Sequence, residues 1–147
     1  HICELEVDPQ TGDVTVDRYA VVDDVGTVMN PPGLKGQIHG GVAQGIGQIL
    51  CEQVVWDRES GQLLTASFLD YAMPHATMIP NMEVKSNPVP TKYNPLGAKG
   101  AGEAGTVGAM PVVMNAIMDA LAPFGVSDVS MPATPLNVWR AIQQAKN

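Results

Sequence analysis

The chain has 147 residues, 45% of them hydrophobic, which predicts a folded protein with its own core rather than a disordered segment. We expect residues 1–147 to form a single domain. The formal net charge of −7, without any basic cluster, argues against nucleic-acid and anionic-membrane partners.

The chain begins with two predicted strands joined by a turn. Apolar residues alternate imperfectly with charges over residues 1–7, a turn containing Gly12 follows, and residues 14–22 are rich in β-branched side chains. This pattern predicts a β-hairpin. Because residues 1–7 look like the interior of a strand and carry no initiator methionine, we expect the sequence to be a fragment of a longer polypeptide.

A glycine-rich helix is predicted next. Apolar residues recur mostly every four positions from Leu34 to Val54, the spacing of one helix face. Its interior carries four glycines: Gly40, Gly41, Gly45 and Gly47. Each destabilises a helix by roughly 1 kcal/mol relative to alanine. Two explanations fit: a flat or anionic ligand approaches the backbone, with Gln37 and Gln44 holding its edge, or a neighbouring helix or sheet packs tightly.

The rest of the chain predicts short strands mixed with helices. In chain order these are a second hairpin turn at 56–63, a strand at Met82–Ser86, an extended proline-containing connection at 87–96, a helix at Thr106–Leu121, a strand at Val126–Met131 and an amphipathic helix at Pro135–Ala145. Strands and helices without strict βαβ alternation predict the α+β class. We see no apolar run of the ~18 residues that a bilayer requires, so we expect no membrane span.

One carboxylate stands at the start of the Thr106–Leu121 helix, directly after a second glycine-rich turn. Glycines recur from Gly97 to Gly105, which allows close backbone approach, and Glu103 lies near the point where the helix begins. Two roles are open for Glu103: a general base beside a substrate-sized space, or stabilisation of the helix start by ~0.3–1 kcal/mol. Lys99 could neutralise a phosphate, pair with Glu103 or stay solvated.

The remaining polar residues favour structural roles. Asp23 and Asp24 are adjacent on an extended segment and therefore face opposite sides, which favours turn capping over a paired acid site. His39 and His75 have no partner at metal-ligand spacing, and the two cysteines are far apart and expected to be reduced thiols. We expect no metal site built from side chains.

The two glycine segments together resemble one family. Gly36–Gly47 (GQIHGGVAQGIG), followed after a proline-rich connection by Lys99–Glu103 (KGAGE), resembles the C-terminal end of the large, molybdopterin-binding subunit of the xanthine dehydrogenase / aldehyde oxidase family. Residues 19–26 and 131–135 are most similar to the bacterial subfamily of carbon-monoxide dehydrogenase large chains. Eukaryotic members have two prolines after the glutamate; Ala104-Gly105 here fits the bacterial branch and weakens the expectation of a purine substrate.

The resemblance implies a cofactor and a set of site residues. The cofactor is molybdenum on molybdopterin cytosine dinucleotide, and Glu103 corresponds to the base that takes the proton of a metal-bound hydroxyl group. Gln37 corresponds to the glutamine that touches the pterin, and Gly36 beside it is expected to bind the cofactor as well. Four further residues are expected to lie along the cofactor through their backbone: Lys99, Gly100, Ala101 and Gly102.

The resemblance also implies an activity and partners. It predicts a cytoplasmic, oligomeric enzyme that oxidises a small carbonyl compound, carbon monoxide or an N-heterocycle with oxygen derived from water. The remainder of the large subunit, an FAD subunit and a [2Fe-2S] iron–sulfur subunit would complete it, and this piece alone is expected to be inactive. Two other interpretations stay open: a scaffold or subunit-interface module without chemistry, and a nucleotide- or phosphate-binding domain, against which the missing strand–GxGxxG–helix pattern argues.

Overall fold

Three strands form a small mixed sheet in the computed structural model, which describes residues 1–146 and leaves Asn147, the last residue of the predicted domain, outside them. The strand order is β1 (Ile2–Val7), β2 (Val14–Asp23), β3 (Met82–Ser86). β1 and β2 pair antiparallel, which confirms the predicted hairpin, and β2 pairs with β3 in parallel.

Three helices accompany the sheet: α1 (Pro31–Leu50), α2 (Ala104–Leu121) and α3 (Pro135–Ala145). Together with the sheet they confirm the α+β class. The predicted bounds of α3 are confirmed, and α2 begins at Ala104 rather than at Thr106.

The predicted bounds of α1, Leu34–Val54, are wrong at both ends. The helix begins earlier because the Oδ1 atom of Asn30 accepts the N–H of Gly33 at 3.0 Å and two prolines fill the first turn, where their missing N–H groups have no consequence. It ends earlier because the N–H groups of Cys51 and Glu52 both turn back to the carbonyl of Gly47.

The core lies between one face of the sheet and the helices. Val16, Tyr19 and Val21 of β2 are buried. Tyr19 and Val21 follow the alternation of a strand, and an irregularity in the pairing with Glu4 and Leu5 shifts that alternation between Val16 and Tyr19. Helix α2, packed against α1 and β1, buries every fourth residue: Gly105, Ala109, Val113, Ile117 and Leu121. Val138 and Ile142 of α3 join the same hydrophobic cluster.

Two expectations about apolar segments need correction. The strand predicted at 126–131 is wrong: Val126 and Val129 are buried, but no strand among residues 1–146 pairs with this segment, so they enter the core from an irregular stretch of chain. By length and composition alone, Ala104–Phe124 is long and apolar enough to cross a membrane, although we expected no such run. One residue in every four of this helix is buried in the core, from Gly105 to Leu121.

The segment between α1 and β3 lies mostly on the surface. It contains the predicted turn, in which the N–H of Asp57 donates to the carbonyl of Gln62 at 2.8 Å, but the flanking residues form a single bridge instead of a strand ladder. Two apolar side chains of this segment are almost fully in solvent, Phe68 at 88% and Leu69 at 98% exposure. Such residues mark a surface that another protein segment can cover.

Candidate functional site

Glycines bring α1 and α2 close together. A Cβ atom added to Gly41 would lie 2.9 Å from the main-chain nitrogen of Thr106, and one added to Gly105 would lie 2.6 Å from the carbonyl oxygen of Ile38. A Cβ on Gly45 would lie 2.6 Å from the side chain of Ala109. These distances leave no room for a methyl group, so the packing explanation is confirmed for Gly41 and Gly45.

Other glycines of the two segments face open space instead. A Cβ atom added to any of four positions would meet nothing within 4 Å: Gly36, Gly40, Gly100 and Gly102. Helix packing therefore does not explain these four glycines. They leave the backbone accessible to another molecule, which is what the ligand explanation requires.

Gln37 connects the two glycine segments. Its Nε2 donates a hydrogen bond to the carbonyl of Gly102 at 2.9 Å, across 65 positions of the chain. Because a carbonyl can only accept, this contact fixes which end of the amide faces Gly102. The Oε1 atom of Gln37 has no hydrogen-bond donor among residues 1–146.

Glu103 is the N-cap residue of α2, is exposed, and makes no capping hydrogen bond with its side chain. Within residues 1–146 its carboxylate also has no ion pair. The N–H groups of Gly100, Ala101 and Gly102 find no acceptor in the same part of the chain. The carboxylate and these three donors are thus available to a ligand, while the helix start favours a carboxylate through its dipole as well.

Lys99 forms an ion pair with Asp24 and not with Glu103, which was one of the predicted alternatives. Its ammonium contacts the Oδ2 atom of Asp24. This ammonium and the N–H groups of Val89 and Gly26 lower the pKa of Asp24 to about 2. The predicted turn cap is confirmed for Asp24, whose Oδ1 accepts the N–H of Gly26 at 2.9 Å, but not for Asp23, whose carboxylate contacts His1 instead. The side-chain charge of Lys99 is therefore already neutralised within the chain.

A cleft of about 330 Å³ lies between the start of α1 and the loop at Lys99–Ala101, with Gln37 in its wall. Thr27, Met29 and Asn30 line it too. None of these three was predicted as a site residue; the signal available in the sequence was Asn-Pro-Pro at residues 30–32, which is typical of a helix start. Larger clefts next to Arg140 and Met114 lie away from the predicted site residues.

A second polar cluster escaped sequence reasoning. His1 lies with Nδ1 2.9 Å from the hydroxyl of Tyr19 and with Nε2 3.3 Å from Oδ1 of Asp23. Burial raises the pKa of Asp23 and of Tyr19. The one signal for this cluster in the sequence is the position of Asp23 at the end of a predicted strand. Within residues 1–146, no three His, Cys, Asp or Glu side chains group as a metal ion would need.

Sequence comparison places the chain among molybdenum proteins. A family model described as "Molybdopterin cofactor-binding domain" matches residues 1–80, which includes Gln37 but not Glu103. The nicotine 6-hydroxylase large subunit of Paenarthrobacter nicotinovorans is 44% identical over 141 residues, covering 96% of this chain and 17% of that protein. The carbon monoxide dehydrogenase large chain of Hydrogenophaga pseudoflava is 35% identical over 144 residues, covering 98% and 18%.

Solved structures match over the whole fold. The carbon monoxide-reduced Cu,Mo-CO dehydrogenase superimposes with a TM-score of 0.92 at 33% identity, over 98% of this chain and 18% of that chain. Quinoline 2-oxidoreductase from Pseudomonas putida 86 gives a TM-score of 0.92 at 37% identity, over 97% and 18%. The chain thus spans less than a fifth of the length of these relatives.

Proposed function

The chain belongs to the molybdopterin cofactor-binding family that includes xanthine dehydrogenase and carbon monoxide dehydrogenase large chains, and we propose that it is the C-terminal portion of a molybdenum hydroxylase large subunit. In this proposal residues 1–147 form one domain of that subunit. The subunit oxidises a carbonyl compound, carbon monoxide or an N-heterocycle with oxygen derived from water.

The hydrogen bond from Gln37 to Gly102 is the observation that carries the proposal. It brings the predicted pterin contact next to the residue that precedes the predicted base. Two segments far apart in the chain therefore meet where the resemblance requires a shared cofactor. Packing of the core does not need this contact, because both residues are exposed.

The residues present fit a large, flat and anionic cofactor. The open glycines Gly36, Gly100 and Gly102 leave room for a ligand that a Cβ atom would obstruct. The N–H groups of residues 100–102 are unpaired donors suited to phosphate or pterin oxygens. Because Nε2 of Gln37 donates to Gly102, the Oε1 atom can accept a hydrogen bond from the cofactor.

Lys99 contributes to this binding through its backbone. Its N–H donates to the carbonyl of Val25 at 2.9 Å and its ammonium is paired with Asp24, which fixes the residue in place. Gly100 and Ala101 then follow from a fixed point and face the ligand with their unpaired N–H groups.

Glu103 serves as the base. The cofactor, when bound, supplies the two-electron redox chemistry that no amino-acid side chain provides. The Glu103 carboxylate, which neither caps α2 nor forms an ion pair within residues 1–146, accepts the proton released as oxygen is transferred.

The cofactor carries the cytosine dinucleotide form, and the enzyme functions in the cytoplasm as an oligomer. The remainder of the large subunit together with FAD and [2Fe-2S] subunits completes the electron path. The names of two relatives support a multi-subunit assembly: a large subunit, and a subunit gamma of a dehydrogenase complex.

Replacing Glu103 by glutamine in the assembled enzyme tests the proposal. Glu103→Gln keeps the size of the side chain but cannot accept the proton, so turnover should fall by about 10²–10⁴-fold while molybdenum and pterin content stay at the wild-type level. Glu59→Gln, at an exposed glutamate in the 56–63 turn, is the matched control. Wild-type turnover in Glu103→Gln would remove Glu103 from the mechanism.

A second function, a subunit-interface module without chemistry, has one observation in its favour. Phe68, Leu69 and Tyr93 are 88%, 98% and 98% exposed, as residues of a protein interface are before assembly. Under this alternative Glu103→Gln and Gln37→Leu would both leave turnover unchanged, and substitution of Leu69 by aspartate would disrupt assembly.

A further inference from the structure

The loop at residues 97–103, here called the glutamate loop, is fastened by main-chain hydrogen bonds to the turn that follows strand β2. The N–H of Thr27 donates to the carbonyl of Gly97 at 3.0 Å. The N–H of Lys99 donates to the carbonyl of Val25 at 2.9 Å. The loop therefore starts from a short antiparallel bridge.

Asp24 joins three segments at this bridge. Its Oδ1 accepts the N–H groups of Gly26 and Val89, both at 2.9 Å, while its Oδ2 contacts the ammonium of Lys99. These partners belong to the turn after β2, to the proline-rich connection and to the glutamate loop. The two charged side chains are only about one-third exposed, 34% for Asp24 and 35% for Lys99.

The other end of the glutamate loop is fastened to α1. Gln37 donates to the carbonyl of Gly102, and the hydroxyl of Thr106 donates to the carbonyl of Gly41 at 3.0 Å. Between the two ends, the N–H groups of residues 100 and 101 have no acceptor within residues 1–146. A loop held at both ends with an unsupported middle shifts when either attachment is lost.

We propose that Asp24 is a positioning residue for the base: through the ammonium of Lys99 it holds the glutamate loop so that the Glu103 carboxylate meets the substrate. This inference rests on the proposed function of Glu103. Without the ion pair the loop keeps its attachment to α1 and its two main-chain hydrogen bonds near Lys99, but it loses the side-chain attachment that fixes this end, and Glu103 then occupies a wider range of positions. A displacement of about 1 Å can lower turnover by about 10²-fold.

Asp24→Asn in the assembled enzyme separates charge from hydrogen bonding. The asparagine Oδ1 can still accept from Gly26 and Val89, but the amide offers no negative charge to Lys99. We expect kcat to fall about tenfold or more with KM and molybdenum content unchanged. Amide hydrogen exchange of residues 97–103 should become faster, which is a readout independent of the loaded enzyme's activity.

Lys99→Met removes the same ion pair from the other side. The Asp24→Asn/Lys99→Met double variant should lose no more activity than either single variant, because both remove one shared contact. Lys92→Met, at an exposed lysine of the proline-rich connection with no ion pair in residues 1–146, is the matched control and should behave as wild type.

The outcomes separate this inference from the proposed function. Wild-type kcat and wild-type exchange in both Asp24→Asn and Lys99→Met would overturn the positioning role, even where Glu103→Gln abolishes turnover. Additive losses in the double variant would overturn it too. If Glu103→Gln keeps full turnover, the proposed function falls, while faster exchange in Asp24→Asn still reports the attachment of the loop. If the Asp24→Asn enzyme does not assemble, kcat and hydrogen exchange of the Lys99→Met variant test the positioning role on their own.

Discussion

The side-chain nitrogen of Gln37 lies 2.9 Å from the carbonyl oxygen of Gly102, although the two residues are 65 positions apart. Both are exposed, so this bond adds little to the stability of the core. Its consequence is geometric: the bond holds Gly102, the residue before Glu103, next to the first turns of α1 at the protein surface.

Gln37→Leu should lower the cofactor content of the assembled enzyme without unfolding it. The substitution removes the donor to Gly102 and the acceptor offered to the ligand, but an exposed hydrogen bond contributes only about 0.5–1.5 kcal/mol. Molybdenum and pterin per subunit and the urea midpoint are the measurements. Gln48→Leu, at an exposed α1 glutamine whose side chain makes no hydrogen bond within residues 1–146, is the control. Equal cofactor content in both variants would contradict the role given to Gln37.

Alanine at the packed glycines should destabilise the chain. Gly41→Ala and Gly45→Ala place a methyl group 2.9 Å from the Thr106 nitrogen and 2.6 Å from the Ala109 side chain, so α1 and α2 must separate, at about 1–3 kcal/mol. Gly40→Ala meets nothing within 4 Å and should stabilise by up to about 1 kcal/mol. Urea unfolding of the three variants measures the change in the free energy of unfolding. A change of the same sign at all three positions would contradict the division into packed and open glycines.

Gly36→Ala should raise stability and reduce cofactor binding at once. Its Cβ atom meets nothing within this chain, so the helix gains up to about 1 kcal/mol, but the methyl group enters the space assigned to the ligand. The unfolding free energy of the chain and the molybdenum content of the assembled enzyme are measured on the same variant. Unchanged molybdenum content would take Gly36 out of the cofactor site.

The ion pair of Asp24 should make the free energy of unfolding depend on pH. The Lys99 ammonium, followed by two N–H groups, lowers the pKa of Asp24 from its ordinary 3.8 to about 2. A lowered carboxyl pKa stabilises the folded state above the ordinary value, and this contribution is lost as the pH falls from about 4 to about 2. The difference in unfolding free energy between wild type and Asp24→Asn should therefore shrink over that range.

Urea unfolding at several pH values between 5 and 2 checks this prediction. Asp13→Asn removes a carboxylate that has no ion pair within residues 1–146 and serves as the control. A pH-independent difference for Asp24→Asn would mean that the ion pair does not act on folding.

Much of the local structure was predictable because its signals are local. The hairpin, β3 and α3 follow from alternating or helical spacing between turn residues, and each was confirmed. The strand predicted at 126–131 failed because its β-branched composition indicates burial, and burial of Val126 and Val129 requires no pairing partner. The bounds of α1 failed because apolar spacing was followed instead of the Asn30 cap.

The sequence by itself determined the two glycine segments, their order, and a carboxylate at the start of α2, because these depend on neighbouring residues. Only the tertiary structure divided the glycines into a packed and an open set, since that depends on how α1 is rotated against α2. It also decided that Lys99 pairs with Asp24, 75 positions away, and not with Glu103. Contacts between distant residues arise from the folded core, whose geometry brings such side chains together.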